Sequence, residues 1–91
     1  MKFDISYTKL TNGVRVLTVP MAGIESVTAM VLVRTGSRNE TPEQSGISHV
    51  LEHMLFKGTK SYPTPMAISG AIDGIGGENN AFTGKEYTGY F

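Results

Sequence analysis

The chain has 91 residues, of which 40% are hydrophobic and 18% charged, as in a folded protein and unlike a disordered segment. Eight basic and eight acidic residues cancel, so we expect no nucleic-acid partner and no attraction to an anionic membrane. There is no cysteine, so a metal site would have to use His, Asp or Glu.

The two ends of the sequence suggest a soluble piece of a longer protein. Asp4 and Lys9 interrupt the region where a secretory signal would need an unbroken apolar run. The longest apolar stretch, 29–33, is far too short to span a bilayer, and a cytoplasmic location is the default expectation. The chain stops at Tyr90-Phe91 inside a strand-like pattern, so we expect a truncated chain.

The N-terminal part of the chain is predicted to be rich in strands. Residues 5–10 and 14–19 have β-like patterns, and Thr11-Asn12-Gly13 supplies a tight turn, so a hairpin is expected. The strongest strand signal covers 26–35, where apolar side chains point to both sides. This pattern predicts a central strand covered on both faces, followed by a polar loop at 36–42.

Two helices are predicted in the middle of the chain. The first runs from about Glu43 to Phe56 and is closed by Gly58, with Glu43 favourable near the helix N-terminus. The second begins at Thr64-Pro65, an N-cap followed by proline at the first helical position. It ends at Gly76-Gly77.

Two further strands, 80–82 and 87–91, are predicted around Gly84-Lys85. The order of strands, helices and strands predicts an α+β fold with a mostly antiparallel sheet and two helices.

The first predicted helix carries the residues with the clearest chemistry. At about 100° per residue, Glu52 lies roughly 60° to one side of His49, and His53 lies roughly 40° to the other. Residues four apart are neighbours on a helix surface, so two imidazoles can share one metal ion. The apolar residues lie on the opposite side of the helix: Ile47, Val50, Leu51, Met54 and Leu55.

The spacing H-x-x-E-H reverses the H-E-x-x-H arrangement of zinc peptidases, and both place a carboxylate about 60° outside a histidine pair. Zinc lowers the pKa of its water towards about 7, and the glutamate can take the proton. The alternative is a solvated helix face. However, the chain has two histidines, and both lie in this pattern on the side away from the apolar stripe, which favours a site for Zn²⁺.

The segment 46–59, GISHVLEHMLFKGT, closely resembles the signature of the pitrilysin family of zinc metallopeptidases, which includes insulin-degrading enzyme and the mitochondrial processing peptidases. Three further segments, 11–20, 33–46 and 76–91, resemble the family's first hairpin, the strand and loop before the zinc helix, and the strand pair beside the active site. The resemblance implies that 1–91 is the partial N-terminal catalytic domain of a longer peptidase, with no second domain in the chain.

The resemblance also implies roles for particular residues. His49 and His53 match the family's zinc ligands, and Glu52 matches its general base. The segment Asn80-Ala81-Phe82-Thr83 matches the edge strand on which the family binds extended peptides, so Asn80 and Ala81 are predicted to bind substrate by β-strand addition. From composition alone, Asn80 would be a turn or strand-end residue.

The family's third zinc ligand, a glutamate on a later helix, lies beyond the position that matches Phe91. Glu78 and Glu86 match strand positions, and Glu40 and Glu43 precede the zinc helix as loop or first-turn residues. Neither Glu78 nor Glu86 is a good substitute. A catalytic zinc site normally has three protein ligands, so the 91 residues are expected to be inactive by themselves.

The expected function of the whole protein is zinc-dependent hydrolysis of peptide bonds in extended peptides. One alternative is a non-catalytic family member, although such proteins commonly lose one of the motif residues that are present here. The other is a stand-alone metal-binding or interaction module. In addition, a terminal strand at 87–91 with unpaired backbone groups predicts a homo-oligomer formed through an exposed sheet edge.

Overall fold

The computed structural model describes residues 2–91 and, in that range, contains two antiparallel sheets and two α-helices. In chain order the elements are β1 (Ser6–Lys9), β2 (Arg15–Thr18), β3 (Val31–Val33), α1 (Ile47–Met54), α2 (Pro65–Asp73), β4 (Ala81–Thr83) and β5 (Thr88–Tyr90). Two short 3₁₀ turns, Ser37–Asn39 and Pro42–Gln44, lie between β3 and α1. The predicted α+β class is confirmed.

The first sheet is a hairpin that local sequence determines. Gly13 has a φ of 92°, in the left-handed region that glycine enters most readily. The side-chain oxygen of Asn12 accepts a hydrogen bond from Val14 N at 3.1 Å, which closes the turn. The strands then pair in antiparallel register with Lys9 opposite Arg15, as the predicted hairpin requires.

The second sheet has the strand order β3-β5-β4, so β5 is central and the other two strands are edges. The prediction of a long central strand at 26–35 is therefore wrong. Val31 and Leu32 are 62% and 61% exposed, and β3 is three residues long. Its partner β5 is also three residues long. Apolar residues on both faces of a strand do not show whether that strand is central or at the edge of a sheet.

The position of β5 in the sheet also shows that the prediction of an edge strand at 87–91 is wrong. This segment was predicted to be an edge with unpaired backbone groups, but it pairs with β3 on one side and with β4 on the other. The ladder with β4 continues beyond the strand ends, because Asn80 N donates to Phe91 O at 2.7 Å and Phe91 N donates to Asn80 O at 2.9 Å. The free edges of this sheet are those of β3 and β4.

α1 begins four residues later than the predicted start at Glu43. Gly46 has a φ of 89°, and this left-handed residue separates α1 from the 3₁₀ turn Pro42–Gln44. Glu43 therefore lies in the turn and not in the first turn of the helix. The regular helix ends at Met54, two residues before the predicted Phe56.

α2 begins where its capping residues predict. Thr64 is the N-cap and its hydroxyl accepts a hydrogen bond from Ala67 N at 3.1 Å, while Pro65 occupies the first helical position. The helix ends at Asp73, before the predicted stop at Gly76-Gly77.

The apolar side of α1 remains open to solvent. Among residues 2–91 no apolar side chain is buried, and Leu51 and Leu55 of α1 are 55% and 45% exposed. A groove of about 430 Å³ lies between this side of the helix and the face formed by β3 and β5. α1 contacts β4 on its other flank, which brings the helix next to a free sheet edge.

Candidate metal centre

α1 places His49, Glu52 and His53 together on one side of the helix. The Nε2 atoms of the two histidines are 3.0 Å apart, and the rings meet nearly edge to face at 75°. One ligand atom from each of the three residues lies within 4.8 Å of the other two. Positions three and four apart are neighbours on a helix surface, and this spacing produces the cluster that the sequence predicted.

The donor chemistry and spacing of the histidine pair suit a metal ion. Two ligands at about 2.0–2.1 Å from a tetrahedral zinc ion lie about 3.3 Å from each other, close to the separation observed here. Both histidines are exposed, so an ion can reach them from solvent. Among residues 2–91 no other His, Asp or Glu joins the cluster.

Glu52 is half-buried because its carboxylate contacts β4. The hydroxyl of Thr83, on β4, donates a hydrogen bond to Glu52 Oε2. A cleft of about 400 Å³ opens beside the pair and is also lined by Ser37, His49 and Phe82. One carboxylate oxygen is thus held by the sheet at the side of a cleft large enough to admit part of a peptide.

Glu40, expected to be a loop residue, caps α1 from outside the helix. Its two carboxylate oxygens accept hydrogen bonds from Gly46 N and Ser48 N, each at 2.8 Å. Gly46, at the N-cap position, has no side chain for this purpose. The hydrogen bonds from Ser48, and then that from Gly46, hold the pKa of Glu40 below its ordinary value. The sequence signal that could have predicted this cap is the glycine at the start of α1, because Gly46 has no side chain to cap the helix.

The loop that carries Glu40 is fixed to the turn between β4 and β5. Ser37 N donates to Gly84 O at 3.1 Å, and Arg38 N donates to Lys85 O at 2.8 Å. Gly36 lies so close to this turn that a Cβ atom would overlap its backbone. The approach to α1 is therefore held by residues that are distant in sequence.

β4 offers a free edge beside α1. Because the hydrogen-bonded pairs with β5 include Asn80 with Phe91, the backbone groups of Ala81 and Thr83 face away from β5. The side-chain oxygen of Asn80 accepts a hydrogen bond from Ala81 N at 2.8 Å and so covers one edge donor. Asn80 and Ala81 lie at this edge, and their role in substrate binding stays a prediction.

The fold and the helix-borne cluster together define a peptidase family. Residues 15–91 match the family described as insulinase, Peptidase family M16, and the chain belongs to this family. The resemblance on which the sequence prediction rested is thereby confirmed.

The relatives of this chain include proteins named as zinc proteases. An uncharacterized zinc protease of Bacillus subtilis is 52% identical over 80 residues, which are 88% of this chain and 19% of the relative. The beta subunit of the mitochondrial-processing peptidase of Dictyostelium discoideum is 45% identical over 88 residues, 97% of this chain and 19% of that subunit.

Among solved structures, a protease from Helicobacter pylori is similar with a TM-score of 0.80 and 36% identity, covering 97% of this chain and 21% of that one. The chain thus spans about a fifth of the length of the relatives it matches. Neither α-helix of residues 2–91 has the length and apolarity needed to cross a bilayer. The cytoplasmic location stays a prediction.

Proposed function

We propose that this segment supplies two zinc ligands and the general base of a zinc-dependent endopeptidase that cleaves extended peptides. The observation that carries the proposal is the 3.0 Å approach of the His49 and His53 Nε2 atoms, with Glu52 on the same side of α1. The free edge of β4 next to this cluster supports an extended peptide as substrate. Family membership supports the reaction class.

In this proposal His49 and His53 hold Zn²⁺ through Nε2, as neutral imidazoles. The bound metal would supply Lewis acidity for attack on the peptide carbonyl. A catalytic site normally has three protein ligands, so we expect the third in the longer protein, outside the 91 residues.

Glu52 would act as the proton carrier. Thr83 occupies Oε2 of the carboxylate, which leaves Oε1 free to accept a proton from the attacking water. The same oxygen can then return the proton to the leaving amine. General bases of this kind contribute about 10²–10⁴-fold to the rate, which sets the scale of the loss when the carboxylate is replaced.

The peptide would bind to β4 as an added strand. The backbone groups of Ala81 and Thr83 that face away from β5 are available for this pairing. Because the Asn80 side chain holds the N–H of Ala81, it would have to release that group when a peptide binds. Its amide could then bond the peptide backbone instead.

The test uses the full-length gene product and a set of unstructured peptides. Removal of zinc by a chelator should abolish hydrolysis, and added zinc should restore it. The variant His53→Ala should lose both zinc and activity, whereas Glu43→Gln, a loop acid outside the cluster, should keep both. Hydrolysis that survives zinc removal would contradict the proposal. A zinc-loaded protein with no hydrolysis would favour the non-catalytic alternative.

We also propose that the isolated 91-residue chain self-associates. β3 has a free edge, and its side chains are exposed on both faces. The apolar groove beside α1 adds further exposed surface. Light scattering at micromolar concentration should give a mass above that of one chain, and a stable monomer would show that this prediction is wrong.

A further inference from the structure

We propose that Thr83 is a positioning residue, which orients Glu52 and couples it to peptide binding at β4. The inference rests on the proposed function. The side chain of Thr83 contacts Glu52 of the cluster, and its backbone forms part of the free edge of β4. No other residue within 2–91 both bonds Glu52 through its side chain and lies on this edge.

The hydroxyl of Thr83 fixes one end of a flexible side chain. A glutamate on a helix surface has several rotatable bonds and many accessible rotamers. Its acceptance of the Thr83 hydrogen bond selects those rotamers that direct the carboxylate towards β4. Both residues are half-buried, so water competes less with this hydrogen bond than it would at the surface. Thr83 is β-branched, and its restricted χ1 keeps the hydroxyl in place.

The backbone of Thr83 faces the peptide side. Gly84 N donates to Tyr87 O at 2.9 Å, and the ladder alternates, so the N–H and C=O of Thr83 point away from β5. A peptide added to β4 would bond these two groups. Thr83 would therefore bind the peptide backbone and also orient the Glu52 carboxylate. Peptide binding and the orientation of the general base would thus depend on the same residue of β4.

The experiment compares Thr83→Val, Thr83→Ser and Thr88→Val in the full-length gene product. Valine keeps the shape of threonine without the hydroxyl, and serine keeps the hydroxyl. Thr88 is a matched control because it lies opposite Thr83, and its hydroxyl bonds Thr35 O at 2.8 Å rather than Glu52.

We expect Thr83→Val to lower kcat by about 10–100-fold, as the loss of a supporting hydrogen-bond partner does, with KM and zinc content nearly unchanged. Thr83→Ser should restore most of kcat. In a Glu52→Gln background, Thr83→Val should have little further effect, because the group that it orients is absent. Thr88→Val should lower stability and leave kcat within about twofold.

Three kinetic results would overturn the positioning role. They are an unchanged kcat in Thr83→Val, an equal loss in Thr88→Val, and a full additional loss on the Glu52→Gln background. The carbon-13 signal of the Glu52 carboxyl, assigned by its disappearance in Glu52→Gln, supplies a readout that needs no activity. Wild-type protein without hydrolysis would overturn the proposed function alone, whereas a Glu52 signal that Thr83→Val leaves unchanged would overturn this inference.

Discussion

The β1–β2 hairpin and the β3–β5 sheet with α1 are held together by contacts of different range. Asn12 and Gly13 close the hairpin within its own turn. In the second region, Glu40 caps α1 and Thr83 contacts Glu52 across a long sequence separation. The proposed functional residues all lie in the second region. The helix spacing brings His49, Glu52 and His53 together, but long-range contacts cap their helix and hold the Glu52 carboxylate, whereas the hairpin contains none of the proposed functional residues.

The largest expected difference between the two regions is the effect of a substitution on turnover. In the full-length gene product, Glu52→Gln should lower turnover by about 10²–10⁴-fold, because an amide cannot accept the proton from water. Zinc content, measured by atomic absorption, should stay normal. A hairpin variant, Gly13→Ala, should keep wild-type turnover. Near-normal activity of Glu52→Gln with zinc bound would remove the general-base role.

Zinc binding gives the next largest contrast. The 91-residue chain should bind zinc weakly through two imidazoles, and His53→Ala should lower the affinity at least about tenfold. Calorimetric titration of both proteins with zinc measures this difference. Equal zinc uptake by wild type and His53→Ala would show that the histidine pair is not the site.

A substitution in the hairpin should destabilise β1 and β2 and leave α1, which carries the candidate metal centre, unchanged. In Gly13→Ala, a Cβ atom meets open space, but the φ of 92° is unfavourable for alanine by about 1–2 kcal/mol. Amide hydrogen exchange in β1 and β2 should accelerate by about 5–30-fold, while exchange in α1 stays unchanged. Faster exchange in α1 as well would mean that the two regions are coupled.

The cap at Glu40 should produce a smaller, pH-dependent effect on the second region. The pKa of Glu40 is lowered in the folded state. The ionised carboxylate therefore stabilises the fold at pH values above the ordinary pKa of this group, 4.5. That contribution is lost as the pH falls through the folded pKa. Glu40→Gln should therefore lower Tm near pH 7, with a difference that shrinks on acidification below about pH 4.

Glu43→Gln is the control for this measurement, since Glu43 lies in the neighbouring 3₁₀ turn and makes no cap. Thermal unfolding followed by circular dichroism at several pH values provides the data. A Tm difference for Glu40→Gln that is constant with pH would contradict the capping role.

The features that the sequence predicted depend on residues a few positions apart. The turn at Asn12-Gly13, the N-cap at Thr64 and the cluster of His49, Glu52 and His53 all follow from spacing or from turn chemistry. Such signals are complete within one turn of helix or one reverse turn, so they are readable without the fold.

The features that were missed join segments with no local relation. The cap at Glu40 requires a loop to fold back on α1, and the bond from Thr83 to Glu52 requires β4 to lie beside that helix. The late start of α1 depends on the left-handed conformation of Gly46, which a helical pattern of apolar residues does not reveal. The central place of β5 depends on pairing with two strands at once.

The central place of β5 also has a consequence for biosynthesis. Val33 pairs with Thr88, so this ladder closes a loop of about 55 residues that includes both helices. On the ribosome, the segment with the two histidines emerges well before β5, and pairing between strands so distant in sequence is intrinsically slow. Among the strands of this sheet β5 emerges after β3 and β4, so the nascent chain exposes the histidine segment before the sheet beside it can form.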